Sequence, residues 1–119
     1  MSTTTTIDFL QREGAGQAFS AGRTIFSVGD AGEVMYVVVS GEADILIDGQ
    51  TVETVGVGGI LGEMALIDAQ PRSATVVAKT DCALVSVDSK RFERLISHHP
   101  RFAIQMMQVL TQRLRNQNK

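Results

Sequence analysis

The stretch GEMALIDAQPRSA, residues 62–74, interrupts an otherwise regular series of short apolar runs in this 119-residue chain. It opens on a glycine, continues with a segment able to form a turn of helix, and closes on proline, arginine and serine. The first turn of a helix presents free N–H groups, and arginine offers paired donors that fit phosphate oxygens. Glu63 adds an acceptor suited to a sugar hydroxyl. The stretch therefore predicts a site for a nucleotide monophosphate.

Around this stretch, residues 16–88 consist of short apolar runs divided by Gly, Asp and Ser, a pattern typical of many short strands. Asp48-Gly49 predicts a tight hairpin, because both central residues of a type I′ turn need positive φ. We expect an antiparallel sandwich or roll built from such strands. The predicted strands are Gln17–Ser20, Thr24–Ser27, Val34–Ser40, Glu42–Ile47, Thr51–Val57, Ser73–Ala78 and Cys82–Val87.

After Asp88 the apolar spacing becomes helical. Asp88 or Ser89 can cap a helix over about 89–98, and Pro100 starts a second helix over about 100–116. The last helix carries Ala103, Met107, Leu110 and Leu114 at 4-3-4 spacing, with Phe102, Met106 and Val109 beside them. This apolar surface is wider than one contact needs. We expect one part to pack on the roll and another to meet a ligand or a second subunit.

Length and composition favour one domain over residues 7–119, with a short helix in its first residues, after a flexible polar N-terminus at 1–6. A net charge of −2 argues against nucleic acid as a partner. No secretory signal and no membrane span are evident, so we expect a cytoplasmic protein. The single cysteine, Cys82, excludes an intrachain disulfide and is interpreted as a small apolar residue of a strand.

The order Gly62-Glu63-x-Ala65-Leu66-x4-Pro71-Arg72-Ser73-Ala74 resembles the phosphate-binding cassette of the cyclic-nucleotide-binding domain family. The resemblance extends over about residues 16–114. It implies a mainly β fold with flanking α: an antiparallel eight-stranded jelly-roll-like β-roll with a short N-terminal helix and two C-terminal helices. Further matching marks are Phe26-x-x-Gly29-Asp30, Tyr36-x-Val38-x-x-Gly41, Gly58, Ala78-Lys79-Thr80, Leu84, Phe92-x-x-Leu95, Pro100 and Arg113-Leu114.

This resemblance also implies roles for individual residues. Glu63 would accept a hydrogen bond from the ribose 2′-hydroxyl, and Gly62 would let the backbone approach the ribose. The cyclic phosphate would be bound by Arg72, by the N–H and hydroxyl of Ser73, and by the N–H of Ala65. The residues that line the cassette would be Leu61, Met64 and Ala74; Leu61 stands where the family often has Phe. Candidates for a lid over the base are Leu110, Arg113 and Leu114. An aromatic base cap is missing, because the chain has no Trp and its one Tyr, Tyr36, lies in a predicted strand.

The implied function is a regulatory sensor that binds cAMP or cGMP and closes its C-terminal helix over the ligand. Ser73 favours cAMP, since serine follows the arginine in bacterial cAMP sensors of the family. The nucleotide would be a ligand, with no cofactor needed. We expect a protein partner or an attached effector domain, and a homodimer formed through the last helix.

Three alternatives remain open. The chain could be an interaction module that kept the β-roll without its ligand, or a regulatory domain cut from a channel, a kinase or a transcription factor. Arg72 could be a surface arginine paired structurally with Glu63. Neither catalysis nor a metal site is predicted, because no nucleophile stands beside a base and the adjacent His98 and His99 cannot form a ligand set alone.

Overall fold

The computed structural model describes residues 16–68 and 70–117. Within these ranges the chain forms eight strands in two four-stranded antiparallel sheets, ordered β1-β8-β3-β6 and β2-β7-β4-β5. This confirms the expected β-roll with C-terminal helices, whereas the predicted N-terminal helix falls outside the described residues. The strands are β1 Gln17–Phe19, β2 Thr24–Phe26, β3 Met35–Ser40, β4 Ala43–Ile47, β5 Gln50–Val55, β6 Ile60–Leu61, β7 Thr75–Ala78 and β8 Cys82–Val87.

Strand β3 shows how period-two alternation builds two hydrophobic cores. Met35 and Val37 pack into a cluster beneath the C-terminal helices, whereas the intervening Tyr36 and the following Val38 pack between the two sheets. Successive side chains of a strand point to opposite faces, so one strand serves both clusters. The inter-sheet cluster includes Cys82, which is 5% exposed, in agreement with its interpretation as an apolar strand residue.

The hairpin between β4 and β5 forms at the predicted turn. Ile47 pairs with Gln50, so the loop consists of Asp48 and Gly49 alone. Their φ values are 53° and 79°, as a two-residue turn of this hand requires. In contrast, β6 is absent from the sequence prediction. It is two residues long and lies just after a Gly pair, so it is too short to show the alternation of apolar and polar residues that indicates a strand.

Three helices complete the described chain: α1 Met64–Ile67, α2 Ser89–His98 and α3 Arg101–Gln117. Asp88 caps α2 by accepting a hydrogen bond from the Arg91 N–H at 2.8 Å. Along α3, Phe102 and Met106 are buried, and Val109 and Leu110 pack partly against the same cluster. Among the described helices, none is long and apolar enough to span a membrane.

The predicted 4-3-4 face of α3 is divided between two environments. Leu110 packs on the roll, whereas Met107 and Leu114 are 54% and 61% exposed. Ile104 is also half exposed on this helix. The apolar surface of α3 therefore exceeds what the roll covers.

Candidate functional site

The cassette residues follow a buried strand. Leu61, the last residue of β6, is fully buried in the inter-sheet core and fixes the start of the segment. Gly62 comes next with φ +69°, and a Cβ at this position would collide with Nη1 of Arg72. The positive φ favours glycine at this position, and the missing Cβ leaves room for the guanidinium of Arg72. The one-turn helix α1 follows at Met64.

Arg72 is buried, with 8% of its surface exposed. Its backbone is fixed by two hydrogen bonds of 2.8 Å to the loop after β2: its N–H donates to the Asp30 carbonyl, and its carbonyl accepts from the Gly29 N–H. The guanidinium lies over the ring of Phe26, with Cζ 4.1 Å from the ring centroid. Both the main chain and the plane of the side chain are therefore held in place.

The guanidinium of Arg72 has no carboxylate partner among the residues described. Nη2 donates to the Val34 carbonyl at 2.9 Å and Nη1 donates to the Gly62 carbonyl at 3.2 Å, while Nε is buried without a partner. Burial lowers the pKa of Arg72, and Tyr36, Asp30 and Glu63 oppose that effect. Because arginine stays charged in proteins, this is a desolvated cation with a spare donor, an arrangement that an anion would satisfy.

Two predicted phosphate donors meet at one backbone oxygen. The carbonyl of Gly62 accepts from the N–H of Ala65 at 3.2 Å and from Nη1 of Arg72 at 3.2 Å. Both hydrogen bonds are at the long end of the usual range for N–H···O. A phosphate oxygen is a stronger acceptor than a carbonyl, so it could draw both donors toward itself.

Glu63 is 6% exposed and pairs with Arg113 of α3, not with Arg72. Its Oε1 lies 2.7 Å from Nη1 of Arg113. Arg113 also donates to Glu53 of β5 through Nε at 2.9 Å and Nη2 at 3.2 Å, and to the Ile60 carbonyl at 2.9 Å. Burial lowers the pKa of Arg113, but the hydrogen bonds and charges of Glu53 and Glu63 outweigh it and leave that pKa raised.

The remaining predicted residues are less closely gathered. Ser73 is exposed beside Arg72, Ala74 is half-buried, and Met64 is 43% exposed. Of the three lid candidates, only Arg113 bonds to the cassette; Leu110 packs against the core, and Leu114 is exposed.

Two residues of this arrangement were not assigned to the site from sequence. Phe26 is one of the family marks in the sequence, but no pattern indicates that its ring carries the guanidinium of Arg72. Glu53 shows no signal in the sequence beyond being a charged residue within a predicted strand. Its partner is 60 residues away, a separation that no local pattern reports.

A groove of about 330 Å³ lies elsewhere, between α3 and the turn before β6. Its walls are Gly58, Ile60 and the side of α3 from Phe102 to Gln112, and none of them is a cassette residue that the sequence singled out. Its position therefore disagrees with that of the candidate site. The buried donors of Arg72 converge at the cassette and not at this groove. Within the described ranges, no group of three or more His, Cys, Asp or Glu residues is arranged to hold a metal ion.

Comparison with known proteins agrees with this fold. A family model for the cyclic nucleotide-binding domain matches residues 17–99. The chain belongs to the cyclic nucleotide-binding domain family. Its members are mostly regulatory domains that bind cyclic nucleotides, and the cassette of residues 62–74 lies inside the matched range.

This cyclic nucleotide-binding domain is similar to several solved structures. The catabolite activator protein of Thermus thermophilus is 30% identical with a TM-score of 0.77, covering 96% of this chain and 56% of that one. A protein solved in work on a cyclic-GMP-dependent signalling pathway in bacterial phytopathogenesis is 28% identical with a TM-score of 0.76, covering 98% and 96%. The EAL enzyme Bd1971, in a half-site-occupied form, is 36% identical with a TM-score of 0.63, covering 88% and 100%. The chain thus spans just over half the length of the activator protein that it matches.

Proposed function

We propose that this domain binds one cyclic nucleotide per chain at residues 62–74 and acts as a regulatory sensor rather than an enzyme. The observation that carries the proposal is the buried guanidinium of Arg72, which has an unpartnered Nε and no carboxylate partner among the described residues. A cyclic phosphate supplies the missing negative charge and accepts from Arg72 and from the Ala65 N–H. The exposed hydroxyl of Ser73 is close by in sequence to complete the phosphate contacts.

In this proposal the carboxylate of Glu63 accepts a hydrogen bond from the ribose hydroxyl. It lies directly after Gly62, and its Oε2 receives no hydrogen bond from the residues that the structure describes. A carboxylate can accept several hydrogen bonds, so Glu63 can keep Arg113 on Oε1 and bind the sugar with Oε2. The contact with Arg113 connects the ligand to α3, and closure of α3 over the base, with Leu110 and Leu114 beside Arg113, is the proposed response to binding.

cAMP is the favoured ligand, because Ser73 follows the arginine as in the bacterial cAMP sensors that the cassette resembles. cGMP is a second candidate, favoured by the similarity over nearly the whole of both chains to a protein of a cyclic-GMP-dependent pathway. Either ligand would act on a protein partner or an attached effector domain, in the cytoplasm, without nucleic acid binding by this domain.

Calorimetric titration with cAMP, cGMP and the non-cyclic nucleotide 5′-AMP tests this function. We expect a stoichiometry of one cyclic nucleotide per chain, tighter binding of cAMP than of cGMP, and weaker binding of 5′-AMP. Tighter binding of cGMP would reverse the ligand preference only. Absence of heat with both cyclic nucleotides at millimolar concentration would contradict the sensor function and favour an interaction module that lacks a ligand.

A further inference from the structure

The strand residue Glu53 and the helix residue Arg113 form a two-pronged ionic contact between β5 and α3. Nε and Nη2 of Arg113 face Oε1 and Oε2 of Glu53, at 2.9 and 3.2 Å. This two-pronged geometry fixes the plane of the guanidinium, because both donors sit on one rigid fork. Nη2 also donates to the Ile60 carbonyl at 2.9 Å.

Because the plane of the guanidinium is fixed, the position of its third nitrogen, Nη1, is fixed as well. With Nε and Nη2 engaged by Glu53 and Ile60, Nη1 meets Oε1 of Glu63 at 2.7 Å. Glu63 is almost completely buried, with 8% of its side chain exposed, whereas the side chain of Glu53 is 36% exposed. Glu53 therefore lies at the edge of the site and orients the cation that orients the buried carboxylate.

We propose that Glu53 is a positioning residue: through Arg113 it aims Glu63 at the ribose hydroxyl and holds the Arg113 turn of α3 on β5, so that the helix closes over the base about this fixed contact. This inference rests on the proposed function. It adds that the ribose acceptor is preorganised by a strand residue outside the cassette, and that preorganisation reduces the ordering cost of binding. It also gives α3 an anchor on β5 that persists while Glu63 binds the sugar.

The unliganded protein tests the first half of the proposal. Glu53→Gln keeps the size of the side chain but places an amide NH₂ group opposite a donor of Arg113. We expect hydrogen exchange of the α3 amides near Arg113 to accelerate about 5- to 10-fold in Glu53→Gln. It should not change in Glu42→Gln, which removes the same charge at an exposed position before β4. Equal exchange in the wild type and Glu53→Gln would overturn the anchoring role.

Paired titrations with cAMP and 2′-deoxy-cAMP test the second half. If Glu53 acts through Glu63, Glu53→Gln weakens cAMP binding about 5- to 10-fold and changes 2′-deoxy-cAMP binding less than twofold, since that ligand lacks the hydroxyl. Glu63→Gln should show the same selectivity for the hydroxyl, and adding Glu53→Gln to it should cost little more.

The possible outcomes separate this proposal from the function on which it rests. Equal weakening of both nucleotides by Glu53→Gln would mean a purely structural role and would overturn the proposal, as would unchanged cAMP binding. Binding of neither nucleotide by the wild type would overturn the proposed function together with the ligand half of this inference. The exchange experiment would still decide whether Glu53 anchors α3.

Discussion

Arg72 combines three properties that distinguish it from a surface arginine paired with a carboxylate. It is buried, it stacks on an aromatic ring, and its donors reach only neutral carbonyls among the described residues. Removing a charge from water is costly, and carbonyl partners repay only part of the cost. In the proposed function a phosphate provides the rest, because it places a negative charge beside the buried guanidinium.

Phe26 should contribute to ligand affinity through Arg72. We expect Phe26→Leu to weaken cyclic nucleotide binding by about 0.5–2 kcal/mol, because the guanidinium loses the ring that holds its plane. Calorimetry measures the change. Phe19→Leu is the matched control, since Arg23 lies over Phe19 at 5.3 Å, apart from the cassette. Equal losses in the two variants would assign the effect to general stability.

The buried thiol of Cys82 should make the stability of the protein depend on pH in the alkaline range. Burial raises the pKa of this thiol, and the nearby Asp81 charge acts in the same direction. The folded protein therefore keeps the thiol proton at a pH where an unfolded cysteine ionises. Its stability should fall as the pH rises past the unfolded-state value. Reaction with a thiol reagent at mildly alkaline pH should be slow in the native protein and fast in denaturant; similar rates in both would contradict the burial of Cys82.

At the scale of elements, the cap of α2 contributes to the stability of the fold. Asp88→Ala removes the acceptor of the Arg91 N–H, so we expect a loss of about 1 kcal/mol in the free energy of unfolding. Urea denaturation measures this change. Asp88→Asn retains a side-chain oxygen and should lose much less. A stability of Asp88→Ala equal to that of the wild type would show that the cap is not needed.

The same elements show how far the sequence could predict this fold and site. The β4–β5 hairpin and the α2 cap were predictable, since Asp48-Gly49 and Asp88 carry local chemistry that specifies a turn and a helix start. Strand β6 was not predictable, because pairing with β3, not a pattern of its own, makes it a strand. The cassette was identified by its motif, but its link to Glu53 depends on tertiary packing of β5 against α3.

At the scale of the whole molecule, the exposed apolar residues of α3 favour self-association. Ile104, Met107 and Leu114 are each at least half exposed, at the spacing of a helix–helix seam. We expect light scattering to show a dimer at micromolar concentration and Met107→Glu to shift it to monomer with unchanged circular dichroism. Ile47→Glu, an exposed apolar position in β4, should leave the dimer intact. Monomer only, with and without nucleotide, would contradict this interface.

The most direct test of the account compares cyclic nucleotide binding by the wild type and Arg72→Ala in one calorimetric series. Removing the guanidinium should cost about 2–4 kcal/mol, which is about 30- to 1,000-fold in affinity. Arg101→Ala, which removes the same group from an exposed position at the start of α3, should bind like the wild type. Arg72→Ala binding the nucleotide as tightly as Arg101→Ala would contradict the assignment of Arg72 to the phosphate.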